Sequence, residues 1–223
     1  MEEQTKDNYT WSFSSLKQYQ NCPKQYHEIR VLKNYTVKEN EAMIYGKEVH
    51  LALENYVRDG VELAKNYQQF KSMVDGLIEI KGVKHCELEM ALTRDRKPCD
   101  FQSDDRYCRG IADLVIIDGD YAFVVDYKTG SNKYPDTKQL KLMALMIFEH
   151  FPEVNTVKGG LMFVAKNSFI SAQYKREDKD NHWKTFEKIL TRLDLAYEYD
   201  NWRPNPTPLC GWCSVKTCEF QRT

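Results

Sequence analysis

The sequence predicts an α/β fold, a mixed central sheet flanked by helices, in one domain over residues 1–223. Three observations carry this. Short β-branched and aromatic runs closed by turn residues fill the middle of the chain. Apolar residues at helical spacing fill both flanks. One apolar helical segment stands between two pairs of strand-like runs.

Residues 1 to about 10 are polar and read as a frayed start, and a helical region, residues 1–82 of the domain, has breaks near Pro23, Gly46 and Gly60. Within it Tyr45, Val49, Ala52, Leu53 and Tyr56 recur at helical spacing, so residues 42–57 form an amphipathic helix with His50 bordering its apolar stripe. The sheet core, 83–175, has strands at 87–93, 111–118 and 121–128, a helix at 136–150 begun by Pro135-Asp136, and strands at 157–165 and 168–174 with Lys166-Asn167 as their turn. Residues 94–107 are polar and read as a loop beside the site. In the last section, 176–223, a charged stretch leads into a helix at 183–199, where Phe186, Ile189, Leu190, Leu193 and Ala196 share a face. A Pro- and Cys-rich tail follows, for which neither helix nor sheet is expected.

Gly110-Ile111-Ala112-Asp113 and Asp126-Tyr127-Lys128-Thr129-Gly130 lie on a strand pair whose turn signal is Gly119-Asp120. With Gly119 and Asp120 as the loop, Asp113 lies directly across from Asp126; with Asp118 and Gly119 as the loop, it lies diagonally. Alternation keeps both carboxylates and Lys128 on one face either way. Two carboxylates about 5–8 Å apart repel each other unless a divalent cation sits between them. Hard oxygen donors suit Mg²⁺ or Mn²⁺, and a neighbouring ammonium can orient an attacking water beside a phosphate. The ordinary alternative is a salt-bridged hairpin. Leu114, Val115, Ile116, Val124 and Val125 make both faces apolar, and charge buried there needs a reason. The pattern points to metal-dependent phosphodiester hydrolysis.

These residues resemble the PD-(D/E)XK nuclease superfamily in its RecB-like branch, over most of the chain, which implies a restriction-endonuclease-like core. The resemblance also implies an upstream carboxylate. In Cys86-Glu87-Leu88-Glu89-Met90-Ala91-Leu92-Thr93 we take Glu87, with Glu89, on the same face by alternation, as the alternative. Gly46-Lys47-Glu48-Val49-His50 matches the family's Gly-x-x-x-His helix, whose histidine binds the metal or the scissile phosphate; Glu54 follows one turn on. Gln139 matches a glutamine that begins the helix after the lysine, whereas Met143 stands where the family has tyrosine. The implied catalytic set is Asp113, Asp126, Lys128, Glu87, His50 and Gln139, with the metal held by Glu87, Asp113, Asp126, His50 and the Tyr127 carbonyl.

Three thiols crowd Cys210-Gly211-Trp212-Cys213-Ser214-Val215-Lys216-Thr217-Cys218, just past Pro204, Pro206 and Pro208, and need something to fold around. The fourth ligand expected is Cys22, in a segment that resembles the RecB-like nucleases with an iron-sulfur cluster, such as AddB subunits and CRISPR-adaptation nucleases. The resemblance favours a 4Fe-4S cluster joining the two chain ends, with Zn²⁺ as the alternative for four thiolates. Cys86, Cys99 and Cys108 read as buried or incidental.

The net charge of −1 gives no global basic field, so a nucleic-acid contact relies on a local patch; Lys24, Arg30, Lys33, Lys133, Lys138 and Lys141 are the candidates. Tyr19, Tyr26 and Tyr134 are candidates for stacking on unpaired bases. Seven cysteines without a secretory signal or a long apolar span lead us to expect a reduced, cytoplasmic protein with no membrane contact. The resemblance implies a phage-type DNA exonuclease acting at ends or single strands in recombination, replication or degradation, beside a single-strand-binding or recombination partner. An endonuclease on the same fold, a non-catalytic DNA-binding iron-sulfur subunit and an iron-sulfur electron carrier are the alternatives. No spare segment supplies a recognition domain for the first, the intact Asp113, Asp126 and Lys128 speak against the second, and the third leaves the carboxylate-lysine face unexplained.

Overall fold

The computed structural model describes residues 8–221, so most of the expected polar start lies outside them. In chain order the elements are α1 (Phe13–Asn21), α2 (Pro23–Tyr26), α3 (Glu41–Asp59), α4 (Lys71–Ile78), β1 (Val83–Leu92), β2 (Pro98–Cys99), β3 (Cys108–Asp118), β4 (Tyr121–Lys128), α5 (Lys138–His150), β5 (Thr156–Phe163), β6 (Ser168–Lys175) and α6 (Lys179–Glu198). Two compact units form, one of residues 39–183 and one of the terminal segments up to Lys38 and from Lys184. The expected divide at residue 82 is not a structural one, because α3 and α4 belong with the sheet.

The sheet unit has strand order β2-β1-β3-β4-β5-β6, antiparallel throughout except for β4 beside β5. That parallel pair is bridged by α5, as a parallel connection requires a crossover. One face carries α3 and α4: Val49, Leu53, Tyr56, Val74 and Leu77 pack on Leu114, Ile116, Phe123, Val125, Tyr127 and Met162. α3 starts where the Asn40 side chain accepts from the Met43 N–H, and it ends at Gly60 with φ 68°. It runs straight through Gly46, where a break was expected. A Cβ there would stand 3.3 Å from Thr129 Oγ1, so the glycine brings α3 close to the end of β4.

The opposite face carries α5, whose residues from Leu142 to Phe148 are all buried. Met143, which stands where the resemblance expects an aromatic, packs its terminal atoms over Gly110. A Cβ on Gly159 would lie 2.9 Å from Leu140 Cβ, a position fixed by the helix backbone. Gly159→Ala should therefore destabilise the protein by about 1–3 kcal/mol through overpacking. An unchanged thermal melting temperature would show that α5 can lift off β5 at no cost.

The terminal unit is built on aromatic side chains. Tyr9 stacks on Tyr197 at 4.6 Å, and Trp202 meets Tyr19, Tyr26, His27 and Tyr197 within 6.3 Å between ring centres. Tyr9 is buried, so the frayed start does not reach it. Tyr19 and Tyr26 are also buried, with hydroxyls bonded to the Arg192 carbonyl and to Tyr197, which removes both from the candidates for base stacking. Tyr134 stays exposed with Lys133 over its ring. Among the described residues no helix is long and apolar enough to cross a membrane.

Candidate active site

Asp113 and Asp126 come from neighbouring strands. The β3–β4 ladder runs from Asp118 opposite Tyr121 to Leu114 opposite Val125, the pairing that a Gly119-Asp120 loop demands. One step further the ladder stops, and the Tyr127 N–H donates instead to Asp113 Oδ2 at 2.6 Å. The β1–β3 ladder is interrupted at the same level: Cys86 faces Leu114, Leu88 faces Ala112, and Glu87 between them has φ 49°. A non-glycine residue in the left-handed region costs about 1–3 kcal/mol and persists only where its surroundings over-determine it. The register is the same on both sides of it, so Glu87 stands level with Asp113. Glu87, the carboxylate favoured from the sequence, joins Asp113, while the alternative, Glu89, stays in the ladder opposite Ile111 and is exposed.

His50 reaches the same place from α3, with Nδ1 3.4 Å from Asp113 Oδ1 and its ring edge-on to the buried Tyr127 ring. His50, Glu87 and Asp113 each present one donor atom within 4.8 Å of the others, the one such group of three among the described residues. Glu54, a turn beyond His50 and paired with Arg58, lines the same cleft.

Asp126 is engaged differently from what the sequence suggests. Its Oδ1 accepts from Gln139 Nε2 at 2.5 Å, Lys128 Nζ lies 2.6 Å from its Oδ2, and Lys128 donates on to Gln139 Oε1 at 3.1 Å. A closed triangle of carboxylate, ammonium and amide results. It holds the lysine head in place, whereas Asp126 is not itself one of the three clustered donors.

The electrostatics follow from packing negative groups into a half-buried cleft. Burial, then the Asp113 and Glu54 carboxylates, push Glu87 up to about 7. Burial and Asp113 raise Asp126 against the pull of Lys128. Burial alone would lower His50, but the Asp113 carboxylate overrides it and holds the imidazole above its ordinary value. A carboxyl raised on folding contributes stability that is complete below its unfolded value and is lost as the pH rises through its folded one. With EDTA present, the protein should therefore melt lower at pH 8 than at pH 6, and Glu87→Gln should remove part of that slope. A slope unchanged in the variant would show that Glu87 is ionised throughout.

The cleft is further lined by Met43, Lys47, Leu51 and Thr129, which the sequence did not mark as functional. Met43, Lys47 and Leu51 lie four residues apart on α3, which is the only signal the sequence held for them.

The sequence profile of the PD-(D/E)XK nuclease superfamily matches residues 10–218. The chain belongs to that superfamily. Two solved structures show the same nuclease fold. The protein SSO0001 is 15% identical with a TM-score of 0.52, covering 100% of this chain and 90% of its own. A Eubacterium rectale protein described as a "putative exonuclease" is 12% identical with a TM-score of 0.54, covering 98% of this chain and 91% of its own. No curated protein matches the chain. Nucleases of this superfamily use divalent metals, and the His/Glu/Asp donor group of this nuclease suits such ions.

The nuclease's terminal unit holds a second set of ligand-type side chains. Cys22, Cys210, Cys213 and Cys218 are all free thiols lining one small pocket. The Asn205 N–H points at Cys22 Sγ (3.5 Å), the Thr207 N–H at Cys210 Sγ (3.3 Å) and Gln25 Nε2 at Cys213 Sγ (3.4 Å). Of the remaining cysteines, Cys108 is buried, and Cys86 and Cys99 are partly so.

Proposed function

We propose that the chain is a Mg²⁺- or Mn²⁺-dependent DNA exonuclease. The observation that carries the reading is the convergence of His50, Glu87 and Asp113 beside the Asp126–Lys128–Gln139 triangle. Two carboxylates and an imidazole fit a hard divalent cation, and the raised carboxyl groups are what an acidic cleft shows without one. A cation bound there neutralises phosphate charge and acidifies water. Glu87, Asp113 and His50 would hold it, with the Tyr127 carbonyl and Asp126 completing the set. Lys128, steadied by Gln139 and Asp126, orients the attacking water on the scissile phosphate. His50 is also placed to steady the phosphate itself.

The exonuclease reading is supported by the description of the Eubacterium rectale neighbour, within a superfamily of nucleases. Action at DNA ends or single strands in phage-type recombination, replication or degradation, alongside a single-strand-binding or recombination protein, is the setting we infer. For the four thiols we propose a 4Fe-4S cluster. The four thiols line one pocket of the terminal unit, which supports a shared ligand; Zn²⁺ is the alternative for four thiolates.

The test is cleavage of linear against circular DNA in Mn²⁺ by the wild type and Asp126→Ala. Degradation of linear DNA alone, lost in the variant, is expected. Equal nicking of circular DNA would favour an endonuclease, and activity retained in Asp126→Ala would remove the site.

A further inference from the structure

We propose that Met43 and Leu51, on the exposed ridge of α3 beside His50, form an apolar platform for the unpaired nucleobase next to the scissile phosphate, so that the cleft takes single-stranded ends in preference to duplex; this rests on the hydrolytic reading above. Both side chains line the cleft that holds His50, Glu87 and Asp113. Both are well exposed, Met43 at 41% and Leu51 at 57%. Residues 43, 47 and 51 follow one another at intervals of four, so the three side chains form one row along the helix, flanked by the row of His50 and Glu54. The aliphatic stem of Lys47 bridges the two apolar ends of the row.

Charge decides what can lie on this ridge. Duplex DNA is held chiefly through several Lys and Arg contacts to its phosphates. Of the residues lining the cleft, only Lys47 is a lysine or arginine and it is ion-paired with Glu39, while His50 faces Asp113, against the acidic Glu54, Glu87 and Asp113. A cation at the acidic group can fix one phosphate, but the walls offer little to a second or third. Affinity for a strand must then come from its bases. Leu and Met side chains are among those that contact base faces once bases are unstacked, and an unpaired strand presents such faces without the cost of opening a duplex. A base attached to a phosphate at the donor group lies against the neighbouring wall, which is the ridge.

The test pairs wild type with the double variant Met43→Ser/Leu51→Ser, whose melting temperature should match because both side chains are exposed. Binding is read by fluorescence anisotropy in Ca²⁺ and cleavage in Mn²⁺, on a single strand, the same strand with abasic terminal residues, and a blunt duplex. The wild type should bind and cleave the single strand about tenfold better than either of the others, the size of effect expected for one lost base contact. The double variant should treat base-bearing and abasic strands alike. Wild-type behaviour in the double variant, an equal loss on both strands, or a wild-type preference for blunt duplex would overturn the proposal. Base-dependent binding that persists in Ca²⁺ without any cleavage in Mn²⁺ would sink the hydrolytic reading instead and leave the platform standing.

Discussion

Asp113→Asn should lower kcat/KM on linear DNA by about 10³-fold or more, the effect of removing a charge from a water-poor site on which the reaction depends. This side chain accepts the Tyr127 N–H, faces the His50 imidazole and offers one of the three clustered donor atoms beside His50 and Glu87. Asparagine keeps the shape, and its oxygen can still accept from Tyr127, so the end of the β3–β4 pair should hold together. What disappears is the negative charge. Because that charge raises both Glu87 and Asp126, the metal-free variant should melt at or above the wild-type temperature at pH 8. Isothermal titration with Mn²⁺ should show uptake lost in parallel with activity. A variant that cleaved normally, or that lost activity only because it melted early, would refute the role. Glu89→Gln is the matching control, since Glu89 remains in the ladder and exposed.

Cys213→Ser should lower the melting temperature of the protein as purified without oxygen by about 10–20 °C. Joining Cys22 to the late cysteines closes a loop of most of the chain, which removes about 5 kcal/mol of unfolded-state entropy, and a chain of this size shifts by about 2–4 °C per kcal/mol. Iron and acid-labile sulfide, four of each per chain, should be present in the wild type with a brown colour and absent from the variant. Zinc in place of iron would reassign the site while keeping the staple. Wild-type melting behaviour in Cys213→Ser would remove the staple altogether. Colour retained in Asp113→Asn would show that the chemical and structural sites are separate, as their placement in different units leads one to expect.

The β3–β4 hairpin was legible because its signals are local. A Gly-Asp pair between two β-branched runs dictates the turn, the turn dictates the pairing, and the pairing brings Asp113 level with Asp126. The helix bearing His50 was equally legible from its 3.6-residue period, and its bounds moved by only one or two residues at either end. The choice between Glu87 and Glu89 was not legible, because alternation puts both on one face and nothing about a glutamate in a strand announces a positive φ. Gly46 misled for a related reason, since glycine as a helix breaker and glycine as a close-packing residue look alike until the neighbour, Thr129, is in view.

The sequence by itself determined which residue types carry the chemistry and which of them share a strand pair or a helix face, because those follow from periods of two and 3.6 residues and from turn chemistry. Only the tertiary structure decided that Glu87 rather than Glu89 meets Asp113, that Asp126 is tied to Lys128 and Gln139, that Tyr19 and Tyr26 are core, and that Met43 and Leu51 border the cleft. Each of these depends on where one element ends against another. That distance is set by side-chain volumes packed across the sheet, and no local period contains it.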